Sequence, residues 1–285
     1  MRPIAAALVV MVAAPAALSL RAQQLTFSSR VEAVRVDVLV TDRGRPVRGL
    51  GPADFDVTDN GVPQRVDLVS FEQLPLNVVL ALDMSDSVIG ERLTHLRGAG
   101  RSLVAGLKAG DQAALVTFSE AVALRAGPTV DLERVRAALE AAEPSGTTSI
   151  VDASFAALTV GESGVGRALV MLFSDGLDTA SWLQADQVID IARRCDAVVY
   201  AVSAGGIKQR FLERLTDETG GRQVRVESTK DVGAAFLDIL DEFRQRYVVS
   251  YTPTGVAREG WHRLTVRVKN RNLTIRARPG YLAQF

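Results

Sequence analysis

The chain holds a single cysteine, Cys195, and two histidines, His95 and His262, among 285 residues. With one cysteine no internal disulfide can form, so the apolar core must hold the fold in any compartment. The scarcity of both residue types excludes zinc fingers and soft-metal clusters, which need Cys and His grouped at close spacing. It also leaves a thiol nucleophile without a nearby base: "ARRCDAVVY" reads as a helix end entering a strand, with Cys195 as a buried residue. Net charge is missing as well. Lys plus Arg and Asp plus Glu number 33 each, so no overall field attracts nucleic acid or an anionic membrane. There is no G-x-S-x-G elbow, and "GESGVGR" at 161–167 is not followed by Lys-Ser/Thr, so it reads as a loop and not as a phosphate cradle.

What remains is globular, 47% hydrophobic and 23% charged, with enough apolar residues for one large domain or two smaller ones. The opening "MRPIAAALVVMVAAPAALSLRAQQ" has Arg2 as a short positive region, an apolar run from Ile4 to about Leu20, then small and polar residues. This is the pattern of a secretory signal peptide over residues 1–22. Pro15 and Arg21 weigh against a membrane anchor, and no Cys follows the run to carry a lipid. The expectation is an exported protein, periplasmic, cell-surface or extracellular, with no membrane span after cleavage.

Residues 26–74 read as a small β segment. Val34, Val36, Val38 and Val40 alternate with polar residues, and Asn60-Gly61 sits between two alternating runs, the signal of a type I′ hairpin. From 75 to 245 aliphatic strands alternate with amphipathic helices near 90–108, 131–142, 150–160, 184–195, 207–219 and 229–245. That alternation predicts an α/β fold, a doubly wound and mostly parallel sheet with helices on both faces. The short link between "DQAALVTF" and "AVALRA" allows only a hairpin, so one strand should be antiparallel. Residues 246–285 return to strands, "YVVSYTP", "HRLTVRV" and "LTIRAR". They are expected to pair with 26–74 as a small all-β module.

In open parallel sheets ligands bind beyond the carboxyl ends of the strands. "VVLALDMSDS" ends there in Asp83, Ser85 and Ser87, "ALVMLFSDGLD" ends in Asp175, and the loop "EPSGTTSIVDA" supplies Thr147 and Thr148. Ser and Asp at strand ends also serve as turn and helix caps, which would account for any one of these segments but less well for all three. An oxygen-only set with few carboxylates suits a hard cation, Mg²⁺ above all, with Mn²⁺ or Ca²⁺ as alternatives.

On these motifs the segment from about 74 to 245 resembles the von Willebrand factor type A domain. Its metal-ion-dependent adhesion site combines a D-x-S-x-S loop, a Thr after a Gly-rich loop, and an Asp in an S/T-D-G-x-D segment. The resemblance implies direct metal binding by Ser85, Ser87 and Thr148, with Asp83 and Asp175 holding the metal's waters. A partner protein's Asp or Glu would then complete the shell, in adhesion or complex assembly. Asp86 stands where many family members have Gly, and near the ion its charge would weaken that electrophilicity. Asp178 is expected as a cap or outer acceptor, and Thr147 and Ser149 as loop-shaping or capping residues.

The flanks, "VDVLVTDRGRPVRGLGPADFDVTDNGVPQ" and "FRQRYVVSYTPTGVAREGWHRLTVRV" with a final "RARPGY", resemble a secreted bacterial group of related proteins first recognised in Acidobacteria, for which no settled activity is implied. The expectation is therefore a binding protein and not an enzyme. A metal-stabilised envelope scaffold is one alternative. A phosphohydrolase is another, although the haloacid dehalogenase pattern wants Asp where Ser85 stands, and neither His95 nor His262 is placed as a general base.

Overall fold

Strand β6 (Leu76–Asp83) is buried at every position, because helices cover both faces of the sheet it centres. The computed structural model describes residues 33–71, 74–205, 209–269 and 271–284, and these belong to one compact unit. The expected signal peptide, residues 1–22, lies outside them.

Around β6 are β7 (Gln112–Phe118), β8 (Val122–Thr129), β9 (Arg167–Ser174), β10 (Val198–Ala204) and β11 (Gln223–Val226). They form a six-stranded sheet in the order β11-β10-β9-β6-β7-β8. All neighbours run parallel except β8, which returns antiparallel beside β7 through a short turn. The doubly wound α/β reading therefore holds, including its one reversed strand.

Val78, Leu80 and Leu82 of β6 pack on one face against α1 (Glu91–Ala105), α2 (Leu132–Glu140) and α6 (Val232–Arg244). Val79 and Ala81 pack on the other against α3 (Ile150–Ser163), α4 (Ala185–Ala192) and α5 (Arg210–Glu218). Burial on both sides is why these strands read as unbroken aliphatic runs and not as alternation. The chain leaves β6 toward β7 and leaves β9 toward β10, in opposite directions. The crevice between β6 and β9 is thus the switch point where such sheets bind ligands.

The flanking segments form two further sheets. One has the order β14-β1-β12-β5, with β2 beside β1, and the other the order β15-β13-β3-β4. The strands are β1 (Val34–Asp42), β2 (Arg45–Pro46), β3 (Phe55–Asp59), β4 (Val62–Gln64), β5 (Val66–Ser70), β12 (Tyr247–Tyr251), β13 (Glu259–Val268), β14 (Thr274–Arg276) and β15 (Gly280–Gln284). Val36, Val38, Val40, Tyr247 and Val249 from the first sheet share a core with Phe55, Val57, Leu264 and Tyr281 from the second, as in a sandwich. Asn60 and Gly61 have φ of 48° and 82°, the positive pair that a type I′ turn requires. The last strand, β15, falls beyond the three tail strands legible in the sequence.

The sandwich meets the parallel sheet at the amino ends of its strands. Arg246, just after α6, is 1% exposed and donates to the Tyr200 hydroxyl (2.8 Å) and the Gly220 carbonyl (2.7 Å). It also lies over the Tyr200 ring. The Tyr200 hydroxyl in turn donates to Glu242 Oε1 (2.6 Å), which is part of a carboxylate also held by Arg222. Arg167, opening β9, pairs with Asp37 of β1, and Arg244 pairs with Asp111 ahead of β7.

Removing Arg246 strands several buried acceptors, whereas the Arg35–Asp196 pair is 68% and 47% exposed. Urea denaturation should find Arg246→Ala destabilised by about 3–5 kcal/mol, and Arg35→Ala by no more than about 1 kcal/mol.

Candidate metal centre

Asp83 is the last residue of β6, and its side chain is fully buried. The register that sets Leu82 beside Phe173 puts Asp83 level with Ser174 at the end of β9. Ser174 Oγ donates to Asp83 Oδ2 (2.6 Å), and the Ser85 backbone N–H donates to Oδ1 (2.9 Å). Burial pushes the Asp83 carboxyl above its ordinary value of 3.8. The hydrogen bonds from Ser174 and Ser85 pull it back, and the nearby charge of Asp175 adds to the rise.

Beyond Asp83 the chain makes a single 3-10 turn, Asp86–Val88, with buried Val88 as its anchor in the core. The turn brings Ser85 Oγ and Ser87 Oγ to 2.9 Å from one another, and Ser87 Oγ donates to Asp175 Oδ1 at 2.6 Å. Asp83, Ser85, Ser87 and Asp175 therefore form one continuous cluster across the switch point.

The Thr148 loop is stitched to this cluster from both sides. Ser145 N–H donates to the Met84 carbonyl (2.7 Å), and Asp86 N–H donates to the Gly146 carbonyl (2.9 Å). Gly146 N–H donates back to Asp86 Oδ1 (2.9 Å). Gly146 itself has φ of +73°, a left-handed conformation suited to glycine. On the other side the Thr148 carbonyl accepts from Thr179 N–H (2.8 Å) and Ala180 N–H (3.0 Å). Thr148 Oγ1 faces Gly176, where an added Cβ would meet it at 3.4 Å.

Three sequence expectations are refined by this geometry. Asp86 directs a carboxylate oxygen to the Gly146 amide, fixing the Thr148 loop with the charge that was expected to trouble the ion. Asp178 is a helix cap at a distance: its Oδ1 accepts from Ile150 N–H (2.8 Å) and from Ser181 Oγ (2.5 Å). Ser149, at the N-cap position of α3, makes no side-chain cap; its hydroxyl donates to the Ser119 carbonyl (2.6 Å).

Two residues of the site were missed. Ser174, the first letter of "SDGLD", bears the hydroxyl that grips Asp83, and its place in that motif was the available signal. Arg92, in the first turn of α1, donates to Asp175 Oδ2 (3.0 Å) and to the Ser87 carbonyl (3.0 Å). Nothing in the local spacing distinguishes it from other surface arginines. Both histidines stand outside the cluster. His95 shares a hydrogen bond with Thr229 (2.9 Å), and His262 lies in the sandwich core against Asp59 (2.7 Å). Cys195 is partly buried, and burial pushes its thiol up to about 12, so it carries no thiolate at neutral pH.

The donors are thus two carboxylates and three hydroxyls, without nitrogen or sulfur. Among the described residues no group of three or more His, Cys, Asp or Glu side chains comes together. The set fits a hard divalent cation that keeps some of its water, and it does not fit zinc or copper in a soft, closed cage.

Comparison with known proteins agrees with this fold. Residues 78–177 match the family model for the von Willebrand factor type A domain. Inter-alpha-trypsin inhibitor heavy chain H2 of Sus scrofa is 24% identical over 182 residues, covering 58% of this chain and 20% of the relative. The chain thus spans about a fifth of that curated relative. Among solved structures, proximal thread matrix protein 1 from the mussel byssus, with a zinc-occupied MIDAS motif, superposes with a TM-score of 0.54 at 16% identity. That match covers 65% of this chain and 49% of the other. A von Willebrand factor type A structure from Catenulispora acidiphila gives 0.52 at 12% identity, covering 86% and 75%.

The raised Asp83 carboxyl has a consequence for stability. Between its ordinary and its folded value the folded state holds more protons than the unfolded one, so metal-free stability falls as pH rises through that window. Asn at this position can still accept from Ser85 N–H and donate to Ser174 Oγ. In chelator at neutral pH, denaturant titration should therefore find Asp83→Asn at least as stable as the parent; a loss above about 2 kcal/mol would contradict this account.

Proposed function

We propose, from the premise that the chain carries a von Willebrand factor type A domain, that it is an exported, non-enzymatic protein that binds a partner protein through a divalent cation. The observation that carries this reading is the continuous hydrogen-bonded cluster of Asp83, Ser85, Ser87 and Asp175, with the Thr148 loop fastened beside it. Ser85, Ser87 and Thr148 would hold Mg²⁺ directly, and Asp83 and Asp175 would hold it through water. When bound, the cation supplies an electrophilic position for an Asp or Glu carboxylate of the partner.

The rest of the work belongs to the protein. Ser174 and the Ser85 amide orient Asp83 and keep its carboxylate off the bulk solvent. Asp86, through the Gly146 amide, sets the height of the Thr148 loop. The hydroxyls are neutral donors, so the charge of the cation is only partly cancelled, and the carboxylate that completes the shell comes from outside. Desolvation of that carboxylate makes the contact sensitive to geometry. In this reading residues 75–245 are the binding domain, and residues 26–74 and 246–285 are the module that carries it.

Crosslinking of the full chain to exported proteins of its own source, in Mg²⁺ and in chelator, tests the reading. Partners should be captured in Mg²⁺, lost in chelator, and lost in Asp83→Ala and Thr148→Ala. Capture that is indifferent to both chelator and substitution would refute it.

A further inference from the structure

Arg92 stands between the cluster and a second feature that the proposed metal role does not use. Its guanidinium reaches Asp175 Oδ2 and the Ser87 carbonyl, both at 3.0 Å, while its side chain stays 55% exposed and that of Asp175 only 4%. On its other side it borders a cavity of about 350 Å³, shared with Asp175, Glu227, Ser228 and Thr229.

Arg92 shifts the charge balance at the site. Asp83 and Asp175 together bring two negative charges, held one water away from the cation in this reading. Arg92, in direct contact with Asp175, adds one positive charge. Asp86 turns its carboxylate toward the Gly146 amide. With Asp86 and Glu227 the same in both cases, the loaded centre would be about one positive charge higher with Arg92 present than without it. A like charge a few ångströms from the cation weakens cation binding, and the same charge attracts an incoming anion.

We infer that Arg92 sets the ligand selectivity of the site: it trades metal affinity for affinity toward a carboxylate, which it meets from the side of the cavity. This inference rests on the proposed metal role and extends it to a residue outside the metal-binding set. An arginine that merely braced Ser87 and Asp175 would act in the opposite sense, because its loss would loosen the donors and weaken metal binding.

Mn²⁺ titration of the full chain, followed by the resonance of free Mn²⁺, separates the two. Arg92→Gln should bind Mn²⁺ roughly three- to thirtyfold more tightly than the parent, and Arg92→Lys, which keeps the charge, should stay within about threefold of it. Acetate serves as the carboxylate probe, and the concentration needed to perturb bound Mn²⁺ should rise at least about threefold in Arg92→Gln. Unchanged or weaker Mn²⁺ binding by Arg92→Gln overturns the inference and leaves the metal site standing. Tighter Mn²⁺ binding with an unchanged acetate response overturns its selectivity. A parent chain that takes up no Mn²⁺ overturns the metal role itself, and the inference with it.

Discussion

A buried carboxylate at the end of the central strand is the constraint on which the site depends. Asp83 is gripped from two sides at once, by the amide of Ser85 in the loop that follows β6 and by Ser174 at the end of β9. It can hold that position only if β6 and β9 are in register, which the apolar layers on both faces enforce. The energy of the fold is thus used to hold an unfavourably buried acid at the end of the strand. The hydroxyls of Ser85 and Ser87 and the carboxylate of Asp175 then follow from the direction in which the chain must leave the strand.

The two ends of the parallel sheet have different chemistry. At the carboxyl ends, short polar side chains and loop amides leave oxygen atoms facing a crevice. At the amino ends, arginines are sunk into the junction with the sandwich: Arg246 under Tyr200 and Gly220, Arg167 against Asp37, and Arg244 against Asp111. Planar guanidinium groups suit this place, because each can satisfy several carbonyl and hydroxyl acceptors while stacking on a ring. The loops at the crevice end are thus separate from the attachment at the other.

Much of this was legible in the sequence, for physical reasons that differ by region. Continuous aliphatic runs alternating with amphipathic segments can be buried in few ways, so the α/β layer and its reversed strand β8 were readable. Asn60-Gly61 was readable because few residue pairs tolerate two positive φ angles. The segments bearing Asp83 and Asp175 could be placed at strand ends and Thr148 in a loop before a helix, and the structure brings those segments together. Ser174 and Arg92 were not read, since each acts through a contact between distant segments that no local period encodes. The contact of Asp86 was not readable for the same reason: its partner, Gly146, lies sixty residues away. The strand β15 escaped because "GYLAQ" is short and lacks a clear alternation.

The connection of β1 to β12 has a consequence for how the chain folds. Val34 pairs with Tyr251 and Val38 with Tyr247, so beyond its short hairpin with β2 the first described strand pairs with a segment that follows the whole α/β layer in the chain. Closing so long a loop from an unfolded chain is slow. A folded α/β layer shortens that search, because it holds its own two ends close together, with Leu76 and Arg244 both bound to Asp111. Assembly in that order makes the sandwich the last part to form, and its completion a report that the layer bearing the site is already in place.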